Sequence, residues 1–266
     1  MARVPDGSER ASERAPGRER WFFLEAEAGP RAARLRAEEL AHATRVLRLA
    51  DGAAIVALDG RGTARPMRLS LTGREPSLVE RGAPWTEPRP GSAGALLPDV
   101  EVALSLPRPS RAEGMLERLV QLGAQRVTPL VTARTPPRAR QLSSARRARF
   151  ERIAREACKQ SGRLWLPELG EPRSPAELAA ASGERARVVL SPGAAEALAA
   201  CVRRAASAGE RAWTLVVGPE GGFEGSELEA LESAGFEPAF LAPTVLRIET
   251  AAEAAVAIAV HAFVER

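Results

Sequence analysis

Three short segments of the chain gather residue types that can do chemistry. The first, Gly218-Pro219-Glu220-Gly221-Gly222-Phe223, follows the apolar run Trp213-Thr214-Leu215-Val216-Val217 directly. A glycine-rich loop at the carboxyl end of a strand lets a ligand lie against bare backbone, and such strand ends are where open α/β sheets bind ligands. The spacing is not that of a dinucleotide fingerprint, and no Gly-Lys-Ser/Thr follows to make a P-loop. The second segment, Leu241-Ala242-Pro243-Thr244-Val245-Leu246-Arg247-Ile248-Glu249-Thr250, sets Arg247 and Glu249 in a loop where they could pair or face a substrate. The third, Arg155-Glu156-Ala157-Cys158-Lys159-Gln160-Ser161-Gly162-Arg163, collects cationic and amide groups at the end of a helical pattern. It reads as a solvated helix end or as an RNA-facing patch. His42 and His261 stand alone, and Cys158 and Cys201 are the only cysteines, so no metal site and no disulfide framework is expected.

The elements that must position these segments follow from periodicity and turn signals. Residues 1–20 mix charge, Pro, Gly and Ser and read as a disordered tail. From Trp21-Phe22-Phe23-Leu24 to about residue 95, short apolar runs (Arg45–Leu49, Ala53–Leu58, Pro66–Leu71) alternate with turns such as Asp59-Gly60-Arg61-Gly62. This predicts a small β-rich domain. A Pro- and Gly-rich stretch, Arg81–Pro98, reads as a linker. Residues 96–266 then alternate strands at Val100–Leu106, Arg126–Val131, Ala186–Leu190, Ala212–Val217 and Phe236–Leu241 with helices at Arg111–Leu122, Ala145–Gln160 and Thr250–Phe263. That rhythm predicts an α/β domain around a mostly parallel sheet. Capping boxes are expected at Ser226/Glu229 and Thr250/Glu253.

Composition narrows the class. The 266 residues are 45% hydrophobic and 27% charged, ordinary for a globular protein. All but one of the 38 basic residues are arginine, the exception being Lys159, and the net charge is +4. Arginine suits phosphate geometry, although heavy Ala and Arg use also fits a GC-rich coding sequence. No run approaches the roughly 20 apolar residues of a membrane span, and no signal or transit peptide is visible, so a cytoplasmic protein is expected.

Together the motifs Gly218-Pro-Glu-Gly-Gly-Phe223, Val245-Leu-Arg-Ile-Glu-Thr-Ala251 and Glu156-Ala-Cys-Lys-Gln-Ser-Gly-Arg163, with His42…Val46-Leu-Arg-Leu49 and Asp59-Gly-Arg-Gly62, resemble the small-subunit rRNA (uridine-N3)-methyltransferase family of the SPOUT superfamily. The resemblance runs from about Arg20 to the end. It implies a trefoil-knotted C-terminal domain over residues 96–266, a PUA-like β-barrel over 21–95, and a homodimer acting on 16S rRNA or the small ribosomal subunit. S-adenosylmethionine would be held by Leu190, Gly218, Pro219, Glu220, Gly221, Gly222, Leu241, Ala242, Val245 and Leu246. Arg247 would stabilise the uridine anion or bind phosphate, and Glu249 would serve as general base or orient Arg247. RNA contacts are implied at Arg20, Arg45, Arg48, Glu156, Gln160 and Arg163. The sequence departs from the family pattern at Ala242, where glycine is expected, and at Ala53, where aspartate is. Two rival readings share these features: a SPOUT enzyme with another RNA target, and a non-catalytic RNA-binding factor, against which the intact glycine loop argues.

Overall fold

The computed structural model describes residues 20–25, 34–137, 140–181, 183 and 185–265. Residues 1–19 of the expected tail lie outside these; Arg20 already belongs to the first strand. The chain divides into two compact units, one of residues 1–87 with 158–166 and the other of 88–157 with 167–266. The division falls at residue 87 rather than 95, and the first unit takes in a segment from mid-chain.

In the first unit, β1 (Arg20–Phe23) pairs parallel with β2 (Ala54–Leu58), which pairs antiparallel with β3 (Thr63–Ser70). β4 (Ser77–Glu80) and β5 (Trp85–Thr86) both pair with β3. The sheet runs β1-β2-β3-β4 with β5 off the path, so it stays open where a barrel was expected. Arg45–Leu49, read above as a short apolar run, is not a strand: Arg45 and Val46 close a helical stretch, Leu47 follows in a bend and Arg48 takes a φ of +50°. A short α1 (Ala37–Ala41) continues into a single π turn, His42–Val46. Tertiary burial overrides local pattern here, because Ala43 packs into a core of Phe22, Leu35, Ile55, Ala57, Met67 and Leu69. Phe22 and Phe23 are buried, so both are core rather than stacking residues. Trp21 meets Trp85 edge-on, with ring centroids 6.5 Å apart.

The mid-chain segment completes this unit. Gly62 N–H donates to the Leu164 carbonyl (3.2 Å) and Leu166 N–H to that of Gly60 (3.0 Å). Gly62 has φ +96°, and a Cβ there would come within 2.6 Å of the Trp165 indole, so only glycine fits. Lys159 sets its ammonium 3.1 Å from both carboxylate oxygens of Glu39, and both side chains are nearly buried.

The second unit is a seven-stranded sheet in which every pairing is parallel. Its elements are β6 (Asp99–Leu104), α2 (Pro109–Leu122), β7 (Arg126–Pro129), α3 (Ser144–Ser161), β8 (Glu168–Leu169), α4 (Pro175–Ala180), β9 (Ala186–Leu190), β10 (Glu196–Ala197), α5 (Leu198–Ser207), β11 (Ala212–Val217), α6 (Gly225–Ser233), β12 (Glu237–Phe240) and α7 (Ile248–Val264). The strand order is β10-β12-β9-β11-β6-β7-β8. β9, β11 and β6 are covered on both faces, which explains the apolar stretches Val188–Leu190, Leu215–Val217 and Val102–Leu104 at their carboxyl ends. Ala103, Val189 and Val216 face Leu178 of α4 and Leu231 of α6. Alternate residues face the other side, where α7 packs on β6 and β11 and beside α2 and α5. Ala252, Ala255 and Ala259 are fully buried, and their small side chains allow that close approach. α2 starts with Pro109 in its first turn and stops at Gly123, φ +109°, as its sequence dictates.

Both expected capping boxes move. The box before α6 is Glu224/Glu227, two residues earlier than Ser226/Glu229 but with the same spacing. α7 begins at Ile248 with Arg247 as an N-cap that makes no side-chain cap, while Thr250 lies exposed and Glu253 pairs with Arg118 at 2.8 Å. A box the periodicity did not flag, Ser174/Glu177, caps α4. No helix is long and apolar enough to cross a membrane among the described residues.

Candidate functional site

The carboxyl ends of β9, β11 and β12 converge on one cavity of about 300 Å³. β9 brings Leu190, Ser191 and Pro192; β11 runs out through Val217 into Gly218, Pro219, Glu220, Gly222 and Phe223. β12 leads to Leu241, Ala242, Thr244, Val245 and Leu246, and α7 adds Ile248 and Ala251. Nine of the ten residues expected at a cofactor therefore surround one space, although they come from three separate stretches of sequence. The exception is Gly221, which does not line the cavity. Its carbonyl accepts a hydrogen bond from Arg134 on the outer side of the loop. Sequence reasoning missed Ser191, Pro192, Val217, Phe223, Leu228, Thr244, Ile248 and Ala251; the first three flank strand ends already marked, so extending those ends would have found them.

The glycine loop is shaped for close approach. Gly222 N–H donates to the Pro219 carbonyl (2.8 Å), closing a tight turn, and Gly222 takes φ +73°. At Gly218 a Cβ would lie 2.8 Å from the Phe223 ring, which itself forms part of the cavity wall. The cavity is thus a cradle that a side chain at Gly218 would deform. Its lining is apolar apart from Glu220, Ser191, Thr244 and exposed backbone groups, which suits a small molecule with an apolar body and a few polar handles.

Arg247 and Glu249 part company. Arg247 is exposed at the head of α7, between the cavity residues Leu246 and Ile248. Glu249 is buried, is not part of the cavity wall, and pairs with Arg111 of α2 (3.2 Å) rather than with Arg247. Arg111 also reaches Glu220 of the glycine loop at 3.2 Å. The hydrogen bonds it donates to Glu249 first, then to Glu220, raise the guanidinium above its ordinary pKa. One arginine, 138 positions from Glu249 in sequence, so ties the glycine loop to the first turn of α7. One α-helical turn pair further along, Arg118–Glu253 repeats the tie between α2 and α7.

The expected RNA contacts are dispersed. Arg20, Arg45 and Arg48 are exposed on the first unit, and Arg48 takes a left-handed φ of +50°. Glu156 and Gln160 are exposed on α3. Arg163 is not available: it is 7% exposed, and burial pulls its pKa below the ordinary arginine value. Among the described residues, the single group of potential metal ligands is Glu196, Cys201 and Glu237. Arg204 bonds both of its carboxylates, so in this structure the group is part of an ion-pair network.

Residues 95–260 match the family model described as an RNA methyltransferase domain. The chain is 32% identical over 232 residues to a ribosomal RNA small subunit methyltransferase E from Synechocystis, covering 82% of this chain and 69% of that one. It is equally identical over 222 residues to a protein of the same name from Mycobacterium bovis, covering 80% of each. In fold it matches a ribosomal RNA small subunit methyltransferase E from Neisseria gonorrhoeae solved with S-adenosyl methionine bound, with TM-score 0.74 and 24% identity over 90% of this chain and 95% of that one.

Proposed function

The chain belongs to the RNA methyltransferase domain family, and from that membership we propose that it transfers the methyl group of S-adenosylmethionine to N3 of a uridine in the 16S rRNA of the small ribosomal subunit. The observation that carries this reading is the convergence of Leu190, the Gly218–Gly222 loop and the Leu241–Leu246 loop on one cavity at the strand ends. The relatives' shared name supplies the substrate class. The trefoil knot, the homodimer, the cytoplasmic setting and a PUA-like RNA-binding role for residues 21–95 belong to the same proposal.

S-adenosylmethionine, when bound, supplies an electrophilic methyl group on a sulfonium. The backbone of Gly218, Pro219 and Gly222 and the turn Leu241–Leu246 would hold it, and Glu220 is the acidic side chain in that lining. Uracil N3 is a weak acid, so its proton must be lost to solvent before the nitrogen attacks, and the base carries negative charge until the methyl group is transferred. Arg247 stands at the cavity edge with an exposed side chain suited to that charge or to the flanking phosphate. The uncapped N-terminus of the 17-residue α7 adds positive potential at the same edge. Glu249 supports this site from behind by anchoring Arg111. Arg20, Arg45, Arg48, Glu156 and Gln160 are the exposed positions from which RNA would be contacted.

The test is nucleoside mass spectrometry on small subunits that lack the modification, incubated with the protein and S-adenosylmethionine. The expected product is 3-methyluridine. Another methylated nucleoside would keep the reaction and move the target, and no product from folded protein would leave an RNA-binding factor.

A further inference from the structure

The glycine loop has little to hold it in shape from within. Glu220, Gly221 and Gly222 are all exposed, and the one internal backbone bond is the Gly222–Pro219 turn. A segment with glycine at 218, 221 and 222 loses more conformational freedom on ordering than any other kind. Its shape must be imposed from outside.

Arg111 holds the loop at Glu220, and its glycine end is held by the turn after β7, Thr132–Thr135. Arg134 donates from Nη1 to the Gly221 carbonyl, and its Cδ lies 3.2 Å from where a Gly221 Cβ would be. Next to it, Ala133 N–H donates to Glu227 Oε1 (2.8 Å), while Glu227 Oε2 accepts from Glu224 N–H (2.9 Å) at the start of α6. Both ends of the stretch from Gly221 to Glu224 are therefore fastened to one turn. That turn is itself rigid. Thr132 N–H donates to Thr135 Oγ1 (2.9 Å), the two buried hydroxyls meet at 3.0 Å, and Arg140 donates to the carbonyls of Thr135 (3.1 Å) and Ala133 (3.2 Å).

We infer that Arg134 is a positioning residue: it acts through the Gly221 carbonyl to hold the glycine loop in the conformation that receives the methyl donor. It does not line the cavity, so its effect on the donor is indirect. A charge-assisted hydrogen bond to a solvent-facing loop, lost, should let the loop sample conformations that must be reordered on binding. The inference rests on the cavity being the donor's seat, but the brace itself can be read without any donor.

The experiment compares wild-type protein with Arg134→Ala and Arg134→Lys, using full-length protein throughout. Amide exchange of the ligand-free protein over the peptide 218–223 should rise about tenfold in Arg134→Ala, with the rest of the second unit unchanged and the melting temperature kept. The dissociation constant for S-adenosylmethionine by calorimetry should rise roughly tenfold to a hundredfold. At saturating donor, kcat should recover while KM for the donor stays high. Arg134→Lys should restore most of the affinity, since one N–H donor reaches the carbonyl. Unchanged exchange over 218–223, or donor affinity within twofold of wild type, overturns the inference, as does exchange that rises across the whole unit. If wild-type protein binds no S-adenosylmethionine, the donor reading of the cavity fails, and the exchange result alone then decides whether Arg134 braces the loop.

Discussion

Replacing Gly218 with alanine isolates the shape of the cavity from its chemistry. Gly218 does not adopt a positive φ, so the backbone accepts alanine and the obstacle is purely steric. The new Cβ would stand 2.8 Å from Phe223 Cε2 and 3.1 Å from Cδ2 and Cζ. Carbon atoms settle at about 3.5–4.0 Å, so the ring must retreat by about 0.7 Å or more. Phe223 packs against the core cluster that includes Val216, Leu231 and Phe236 and also lines the cavity, so the retreat loads the core or fills the cavity. Overpacking of this kind costs about 1–3 kcal/mol, which for a unit of this size lowers the melting temperature by roughly 2–4 °C per kcal/mol. A displacement approaching 1 Å at a binding wall costs on the order of 10²-fold in activity, so donor affinity should fall at least about tenfold. Calorimetric titration with S-adenosylmethionine and thermal unfolding measure the two effects separately. Adding Phe223→Leu to Gly218→Ala removes the clashing ring edge and should recover most of the stability. Wild-type donor affinity in Gly218→Ala at undiminished stability would refute the claim that this loop is a tightly fitted wall.

Three further outcomes are expected. Arg247→Ala should lower kcat/KM for the RNA on the order of 10²-fold with donor affinity and melting temperature unchanged, as fits loss of one charge-stabilising group at the cavity edge; full activity would remove Arg247 from the chemistry. Lys159→Met takes the counter-ion from a Glu39 carboxylate that is 4% exposed and should cost about 3–5 kcal/mol in denaturant unfolding. Adding Glu39→Leu should restore most of that, and a single-variant cost under about 1 kcal/mol would show the pair to be solvated. Burial pushes the Cys158 thiol up to about 11, so its stabilising contribution is complete below the unfolded thiol's pKa and fades as pH rises through about 11. The unfolding free energy from denaturant titrations between pH 8 and 11 should therefore fall in wild type by on the order of 2–3 kcal/mol more than in Cys158→Ala.

The parts of this protein that the sequence made legible are those whose signal is local. β9 and β11 have the expected limits because each ends in a short apolar stretch, Val188–Leu190 and Leu215–Val217, and Val217–Gly218 marks where the second must turn. The α1–π turn stretch was not legible, because Leu40, Ala43 and Leu47 make too short a helical pattern and what they pack against, Phe22 and Leu35, is a tertiary contact. The cavity's walls could be read residue by residue, but the groups that fasten them could not. Arg111 and Arg134 lie 109 and 87 positions from the loop atoms they bind, and nothing near them in sequence announces those partners. A faint clue exists in hindsight. Arg111 and Arg118 recur two turns apart on α2, and Glu249 and Glu253 one turn apart on α7, so each helix carries its paired charges on one face. Arg163 misled for the opposite reason, since a cation at a helix end looks exposed until the fold buries it.

The segment Cys158–Leu166 has a consequence for how the chain is made. The first unit lacks this piece until the ribosome has synthesised the 79 residues that separate Glu87 from Leu166, roughly 4–16 s of elongation at bacterial speeds of 5–20 residues per second. During that interval the Trp165 ring that covers Gly62 and the ammonium that meets Glu39 do not yet exist. The amino-terminal half, although first out of the exit tunnel, must wait on the carboxyl-terminal half to be finished. A chain cut short anywhere between residues 88 and 157 would release not a completed first unit but one with an unsealed face, a substrate for chaperones and proteases.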